Sequence, residues 1–352
     1  MSSKRRLHLG IDYGTSMSKI VFRDYGAPGG EAAVLVLRNG SFRIPSRLCA
    51  TAAELLFGDD RKTSEECDIY ESLKMRAAVE FSGDPSYYFG PDTKLPMGFT
   101  AADLSTLSVW FLISEGYKAI ADYLDGRTEG INLGMTMGIP MAFFQNPGLR
   151  SLFLRIAQRA WLLYRGEGPV GSVLLIERAI RLLQKYPDTN IPTIPEYEIR
   201  DWVRSEGEAA MWWPFQSPAV RPGPYAKIDI GAGTTHASLY RIYGDTQTPK
   251  RGLAFFGAAT VAVGMDAMDR AIAESQELGG DCLSLRGLEK SILDESGKAR
   301  GATIPVREHI YEAYRKAWIE TYRKINHYHA ELDAWASLAK VMLTANEFLY
   351  ID

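Results

Sequence analysis

The sequence predicts a two-lobed α/β protein in which one short β-rich motif occurs twice. Two observations carry this. GIDYGTS at 10–16 and KIDIGAGTT at 227–235 each put an aspartate near the end of an apolar strand, followed by glycines and hydroxyl residues. Each copy also sits in a β-rich stretch, with helical patterning between them. At 352 residues the chain has core material for two domains, expected over 1–205 and 206–352.

The first sixty residues read as short strands and turns. HLGID at 8–12 ends in a glycine turn, SKIVFRD at 18–24 is the return strand, and AAVLVLRNG at 32–40 ends in Asn39-Gly40, a strong hairpin signal. Hairpins at this point, in place of a crossover helix, argue against a dinucleotide-binding βαβ unit. Residues 101–128 are apolar at three- and four-residue steps and predict a helix, with Asp103 early in it. GINLGMTMGIP at 130–140 predicts a strand ending at Pro140. PGLRSLFLRIAQRAWLLY at 147–164 predicts a helix started by Pro147, with Leu152, Ile156 and Leu163 on its buried stripe. Further helices are expected over 170–186 and near 198–211. The proline- and aromatic-rich stretch 212–224 reads as a loop. YAKIDIGAGTTHASLYRIYG at 225–244 repeats strand, glycine turn and strand; helices are expected from 265 and over 307–340, then a short strand, VMLT, at 341–344.

Composition removes several functions. Forty Lys and Arg against 43 Asp and Glu give a net charge of -3, without the basic surplus of a general nucleic-acid binder. Three scattered cysteines form neither a disulfide framework nor a zinc spacing. The short apolar start and the absence of any long apolar window predict a cytoplasmic protein without a membrane segment. Glycine, at 32 residues, is in slight excess.

The chemistry sits in the two glycine turns. Glycine lets the backbone turn sharply and approach a ligand, so that N–H groups face phosphate oxygens. Hydroxyls of Thr15, Ser16, Thr234 and Thr235 add donors, and the carboxylates of Asp12 and Asp229 suit magnesium-bound waters. Neither GxxxxGK(S/T) nor GxGxxG occurs at these turns, which disfavours Walker-type and dinucleotide sites.

The chain resembles the actin-like ATPase superfamily of sugar kinases, Hsp70 chaperones and actins, whose fold duplicates a ribonuclease H-like motif, and is most similar to an Hsp70-type nucleotide-binding domain. LGIDYGTSMSKIVF at 9–22 resembles the first phosphate loop of that family and KIDIGAGTTHASLY at 227–240 the second. FRIPS at 42–46, LLFGDDR at 55–61, SLKMRA at 72–77, MTMGIPM at 135–141, VRSEGEAAM at 203–211 and AVGMDAMDRAI at 262–272 resemble further family segments in the right order. The resemblance implies ATP or ADP with Mg2+ as ligands, held by Gly14, Thr15, Ser16 and Lys19 from one side and by Gly231, Ala232, Gly233, Thr234 and Thr235 from the other. Asp12 and Asp229 would hold the metal through water, and Lys74 and Glu206 would place the attacking water, so that Asp12, Lys74, Glu206 and Asp229 form the catalytic set.

Bland alternatives stand beside these roles. Lys74 also fits a solvated helix residue, Glu206 a charged helix face in which Gly207 replaces the family's proline, and His236 a packed polar side chain. The family's double-glycine adenosine loop should follow the strand at 341–344, where Ala345, Asn346 and Glu347 stand. An incomplete second lobe is therefore expected, with a protein partner or self-association covering its edge. The expected activity is weak ATP hydrolysis coupled to lobe closure; the alternatives are a scaffold without turnover and a small-molecule kinase of the same fold.

Overall fold

Residues 6–12 alternate apolar and polar, and strand β1 (Arg6–Asp12) obeys that pattern, with Leu7, Leu9 and Ile11 buried on one face and Arg6, His8, Gly10 and Asp12 on the other. A four-residue turn returns the chain as β2 (Met17–Asp24), antiparallel to β1 from Leu7 opposite Asp24 to Asp12 opposite Lys19. The computed structural model describes residues 5–27, 32–34, 42–58, 67–85, 94–96, 98–191, 193, 201–217, 219–231, 233–244 and 251–261. The Asn39-Gly40 turn, Ala232, the helices expected from 265 and over 307–340, the VMLT strand and the expected shortening after it lie outside these residues.

The chain divides into two compact units, Met1–Ala209 and Ala210–Asp352. In the first, β3 (Ala32–Val34) and the short β4 (Ile44–Pro45) both pair antiparallel with β2. On the other side of β1, β8 (Asn132–Ile139) runs parallel to it, and β10 (Val203–Ser205) runs parallel to β8. The sheet order is β10-β8-β1-β2-β3. A second sheet, in the order β7-β5-β6-β9, joins β5 (Leu48–Ala50), β6 (Glu54–Phe57), β7 (Asp68–Tyr70) and β9 (Val173–Leu175) in antiparallel pairs.

Helix α1 (Leu73–Ser82) is entered through Ser72, whose φ of 55° is left-handed backbone that a non-glycine residue seldom adopts. Helix α2 (Ala101–Tyr123) starts at a capping box: the Thr100 hydroxyl accepts from the Asp103 N–H at 3.0 Å, and the Asp103 carboxylate accepts from the Thr100 N–H at 3.1 Å. A Cβ on Gly116 of α2 would lie 3.0 Å from Leu9 and 3.2 Å from Ile20, so the missing side chain lets the helix lie close on the sheet. After the short α3 (Met141–Gln145) comes α4 (Pro147–Glu167), with Pro147 in its first turn and the Asn146 side chain accepting from the Gly148 and Leu149 N–H groups. Leu152, Ile156 and Leu163 are buried, as their spacing predicts. Helix α5 (Ile176–Lys185) follows, and α2, α4 and the apolar face of the β1 sheet share one core.

In the second unit, β11 (Gly223–Ile230), β12 (Thr235–Tyr243) and β13 (Gly252–Val261) form an antiparallel meander. The Tyr225 and Tyr240 rings stack across β11 and β12, their centroids 5.6 Å apart. The Arg251 guanidinium donates to the carbonyls of Phe215, Ser217 and Val220, which fixes the segment before β11 to the start of β13.

Three expectations need correction. The helix expected from 198 is interrupted by β10, because Val203 and Ser205 turn into the core beside β8 and only α6 (Glu206–Gln216) is helical after it. The loop expected at 212 begins later, since α6 continues to Gln216. The helix expected over 170–186 yields its first part to β9, which is too short to show a period. Among the described residues, no helix is long and apolar enough to cross a membrane.

Candidate functional site

Three parallel strands, β1, β8 and β10, end at one edge of the first sheet, and that edge gathers the first unit's expected site residues. Crevices at the C-terminal ends of parallel strands are where α/β sheets bind ligands, because the following helices present unpaired N–H groups there. Asp12 is the last residue of β1, Gly138 lies opposite it on β8, and Arg204 lies opposite Gly138 on β10. Helix α6 begins with Glu206 immediately after β10.

The turn between β1 and β2 is built for close backbone approach. The Gly14 N–H donates to the Asp12 carbonyl at 3.0 Å, and a Cβ on Gly14 would collide with the Met17 carbonyl oxygen. Tyr13 anchors the turn in the core, where burial pushes its phenol up to about 12. The Ser16 carbonyl accepts from the Ser46 N–H at 2.7 Å, and the Ser18 and Ser46 hydroxyls meet at 2.7 Å. The FRIPS segment is thereby fastened to the turn. Thr15 is buried and Ser16 is half-buried. The Asp12 carboxylate, with a side-chain exposure of 46%, lies 3.4 Å from the ammonium of its cross-strand neighbour Lys19, a pair that water screens heavily.

Lys74 and Glu206 come from segments far apart in sequence and meet here. Lys74 is the second residue of α1, and its Nζ donates to Glu206 Oε1 at 3.0 Å. The lysine side chain is 3% exposed and the glutamate 23%. A cation in the first turn of α1 opposes the helix dipole and loses water, so a carboxylate partner is required. Glu206 starts α6, the end at which negative charge is favoured. Gly138 lies under the pair: a Cβ there would stand 3.3 Å from Glu206 Cγ and 3.7 Å from the Ile11 carbonyl oxygen. Lys74 is therefore not the solvated helix residue of its bland alternative.

Further along the same sheet face, His8 lies 2.8 Å through Nε2 from the Thr136 hydroxyl, which donates its single proton to the Asp201 carbonyl. The histidine must therefore donate from Nε2 to Thr136. Burial, and then the charge of Arg6, hold its pKa below the ordinary 6.5.

In the second unit, Asp229 is the penultimate residue of β11, exposed, and paired with Lys227 at 3.3 Å. The Gly231 N–H donates to the Thr234 carbonyl at 2.8 Å and closes the turn, which includes Gly233. Thr234 and Thr235 are buried. The Thr234 hydroxyl meets His236 Nε2 at 2.9 Å, and His236 Nδ1 meets the Thr260 hydroxyl at 2.8 Å. His236 is thus a packed polar residue, and the Thr234 hydroxyl is already engaged.

Two residues at the first-unit edge lie inside quoted segments without a role read for them: Gly138 in MTMGIPM, and Arg204 in VRSEGEAAM, on a strand too short to be seen. The parity of Gly138 with the strand-ending Pro140 was the available signal. Among the described residues, no three His, Cys, Asp or Glu side chains converge as a metal cage. A single exposed carboxylate at each turn suits a hydrated Mg2+ held through its waters and does not suit a stripped ion. Comparison with known proteins gives no matching family model and no matching curated protein sequence.

Proposed function

We propose that this chain is a nucleotide-binding protein of the actin-like ATPase kind, most similar to an Hsp70-type nucleotide-binding domain, that takes Mg-ATP and ADP and hydrolyses ATP slowly. The observation that carries the reading is the repeat: an Asp-bearing strand, a glycine turn closed by its own backbone hydrogen bond, and an antiparallel return strand occur in both units. The antiparallel β1-β2-β3 meander continued by two parallel strands, and the second meander β11-β12-β13, support a duplicated ribonuclease H-like architecture.

In this reading Asp12 and Asp229 would each hold a hydrated magnesium ion through its waters, and the metal would supply charge neutralisation to the phosphates. Backbone N–H groups around Thr15 and Ser16, and around Gly233 and Thr234, donate to phosphate oxygens. Lys74 is held at the strand ends by Glu206, where the pair orients an attacking water. Positioning and charge neutralisation supply most of the rate, as in phosphoryl transfer generally. Binding without turnover is the second reading, favoured by the Thr234 hydroxyl, which is committed to His236. In either case the bound nucleotide is the signal that a protein partner or a second copy of the chain reads.

Calorimetric titration of the full chain with Mg-ATP and with ADP, followed by a phosphate-release assay, tests this. Saturable heat with slow phosphate release is expected. Saturable heat without release selects the second reading, and no heat at millimolar nucleotide overturns both.

A further inference from the structure

The outermost strand of the sheet at the candidate site carries a cation that neither the sequence motifs nor the family resemblance pointed to. Register places Arg204 beside Gly138, Gly138 beside Asp12, and Asp12 beside Lys19, one rung across four strands. Registered neighbours point to the same side of a sheet, and the burial alternation of β10, with Val203 and Ser205 inward and Arg204 outward, agrees. Strands lie about 4.8 Å apart, so the Arg204 Cα is about 10 Å from that of Asp12 on one side, with Lys19 about 5 Å away on the other. Gly138 stands between the arginine and the aspartate on that rung, and the Glu206 side chain, whose charge Lys74 balances, packs over it.

Charge gives the arginine its meaning. The Asp12 carboxylate has Lys19, and the Glu206 carboxylate has Lys74, so these four groups are neutral as a set. Arg204 is half-exposed and lies 3.7 Å from the Asp201 carboxylate, beyond hydrogen-bond reach and largely open to water. Such a pair is weak enough to exchange for a better anion. A guanidinium forks onto phosphate oxygens and keeps its charge at any physiological pH.

We infer that Arg204 is a phosphate-charge-selecting residue of this site, contacting the polyphosphate of the ligand and favouring more highly charged phosphate chains. The inference rests on the nucleotide-binding reading above. Its ligand chemistry is a polyphosphate, whether carried by a nucleotide or free.

The test uses the full chain and Arg204→Ala, Arg204→Lys and wild type, titrated with Mg-ATP, ADP, adenosine and inorganic tripolyphosphate at low and moderate salt. Arg204→Ala is expected to weaken Mg-ATP about tenfold or more, the loss of one charge-assisted hydrogen bond. ADP should weaken less and adenosine not at all, with the ATP difference shrinking as salt rises. Arg204→Lys should recover part of the loss, and tripolyphosphate should follow ATP if the phosphate chain alone is read. A tripolyphosphate affinity untouched by the substitution overturns the inference, because the residue then does not read the phosphate chain. If wild type binds nucleotide and Arg204→Ala binds it equally well, the inference falls while the nucleotide reading stands. Equal weakening of adenosine and ATP also overturns it, since a merely structural change has no phosphate signature. If wild type binds no ligand of the series, the nucleotide reading falls and takes this inference with it.

Discussion

The ammonium of Lys74 and the carboxylate of Glu206 lie 3.0 Å apart although 132 residues separate them in the chain. The pair ties the start of α1 to the start of α6 at the C-terminal ends of three parallel strands. Its two members are unequal, because the lysine is almost fully buried and the glutamate keeps contact with water.

That inequality predicts unequal mutants. Glu206→Ala strands a buried ammonium and should lower stability by about 3 kcal/mol. Lys74→Met leaves a carboxylate that water still reaches and fills the lysine's volume, so its cost should be smaller. The double variant Lys74→Met/Glu206→Gln should recover much of the Glu206→Ala loss. Denaturant midpoints of the three variants check the order; Lys74→Met costing as much as Glu206→Ala would contradict it.

The two close-approach glycines should also differ. Gly138→Ala meets the flexible Glu206 side chain at 3.3 Å, which moves aside at small cost. Gly14→Ala meets the backbone carbonyl of Met17, so the turn itself must shift, costing about 1–3 kcal/mol. Thermal unfolding of both variants should show the larger drop for Gly14→Ala, together with weakened nucleotide binding.

Acid should lower stability at His8, by charging a buried ring whose Nε2–H bond to Thr136 it leaves in place. Its pKa is lower in the folded chain than the ordinary 6.5, chiefly through burial, so the folded state prefers the neutral ring. The stability this contributes is complete above about pH 6.5 and is lost as pH falls through the lowered folded value. His8→Gln keeps a donor for Thr136 and does not titrate. Unfolding midpoints between pH 8 and pH 5 should therefore fall more steeply for wild type than for His8→Gln; parallel curves would contradict the assignment.

What the sequence made legible was local. Alternation in RLHLGID and the glycine turn after it locate β1 and β2, and Asn146-Pro147 with the Leu152, Ile156 and Leu163 stripe locates α4. What escaped was decided by tertiary contact. β10 has three residues and becomes a strand by pairing with β8, and that pairing alone puts Arg204 on the rung of Asp12. The roles named for Lys74 and Glu206 came from resemblance, whereas their mutual contact needed the fold, since nothing local in SLKMRA or VRSEGEAAM says that they meet. In TTH, strand alternation puts positions 234 and 236 on one side, but that the Thr234 hydroxyl is taken up by His236 is seen only in the fold.

We propose that each of the two Asp-bearing glycine turns binds a magnesium-bound phosphate chain. Calorimetric titration of ATP, with Mg2+ and with EDTA, into wild type, Asp12→Asn and Asp229→Asn tests it most directly. Mg2+ is expected to tighten ATP binding to wild type, and this enhancement is expected to be lost in both variants. Binding that is absent in wild type at millimolar ATP, or a magnesium enhancement that both variants retain, would contradict it.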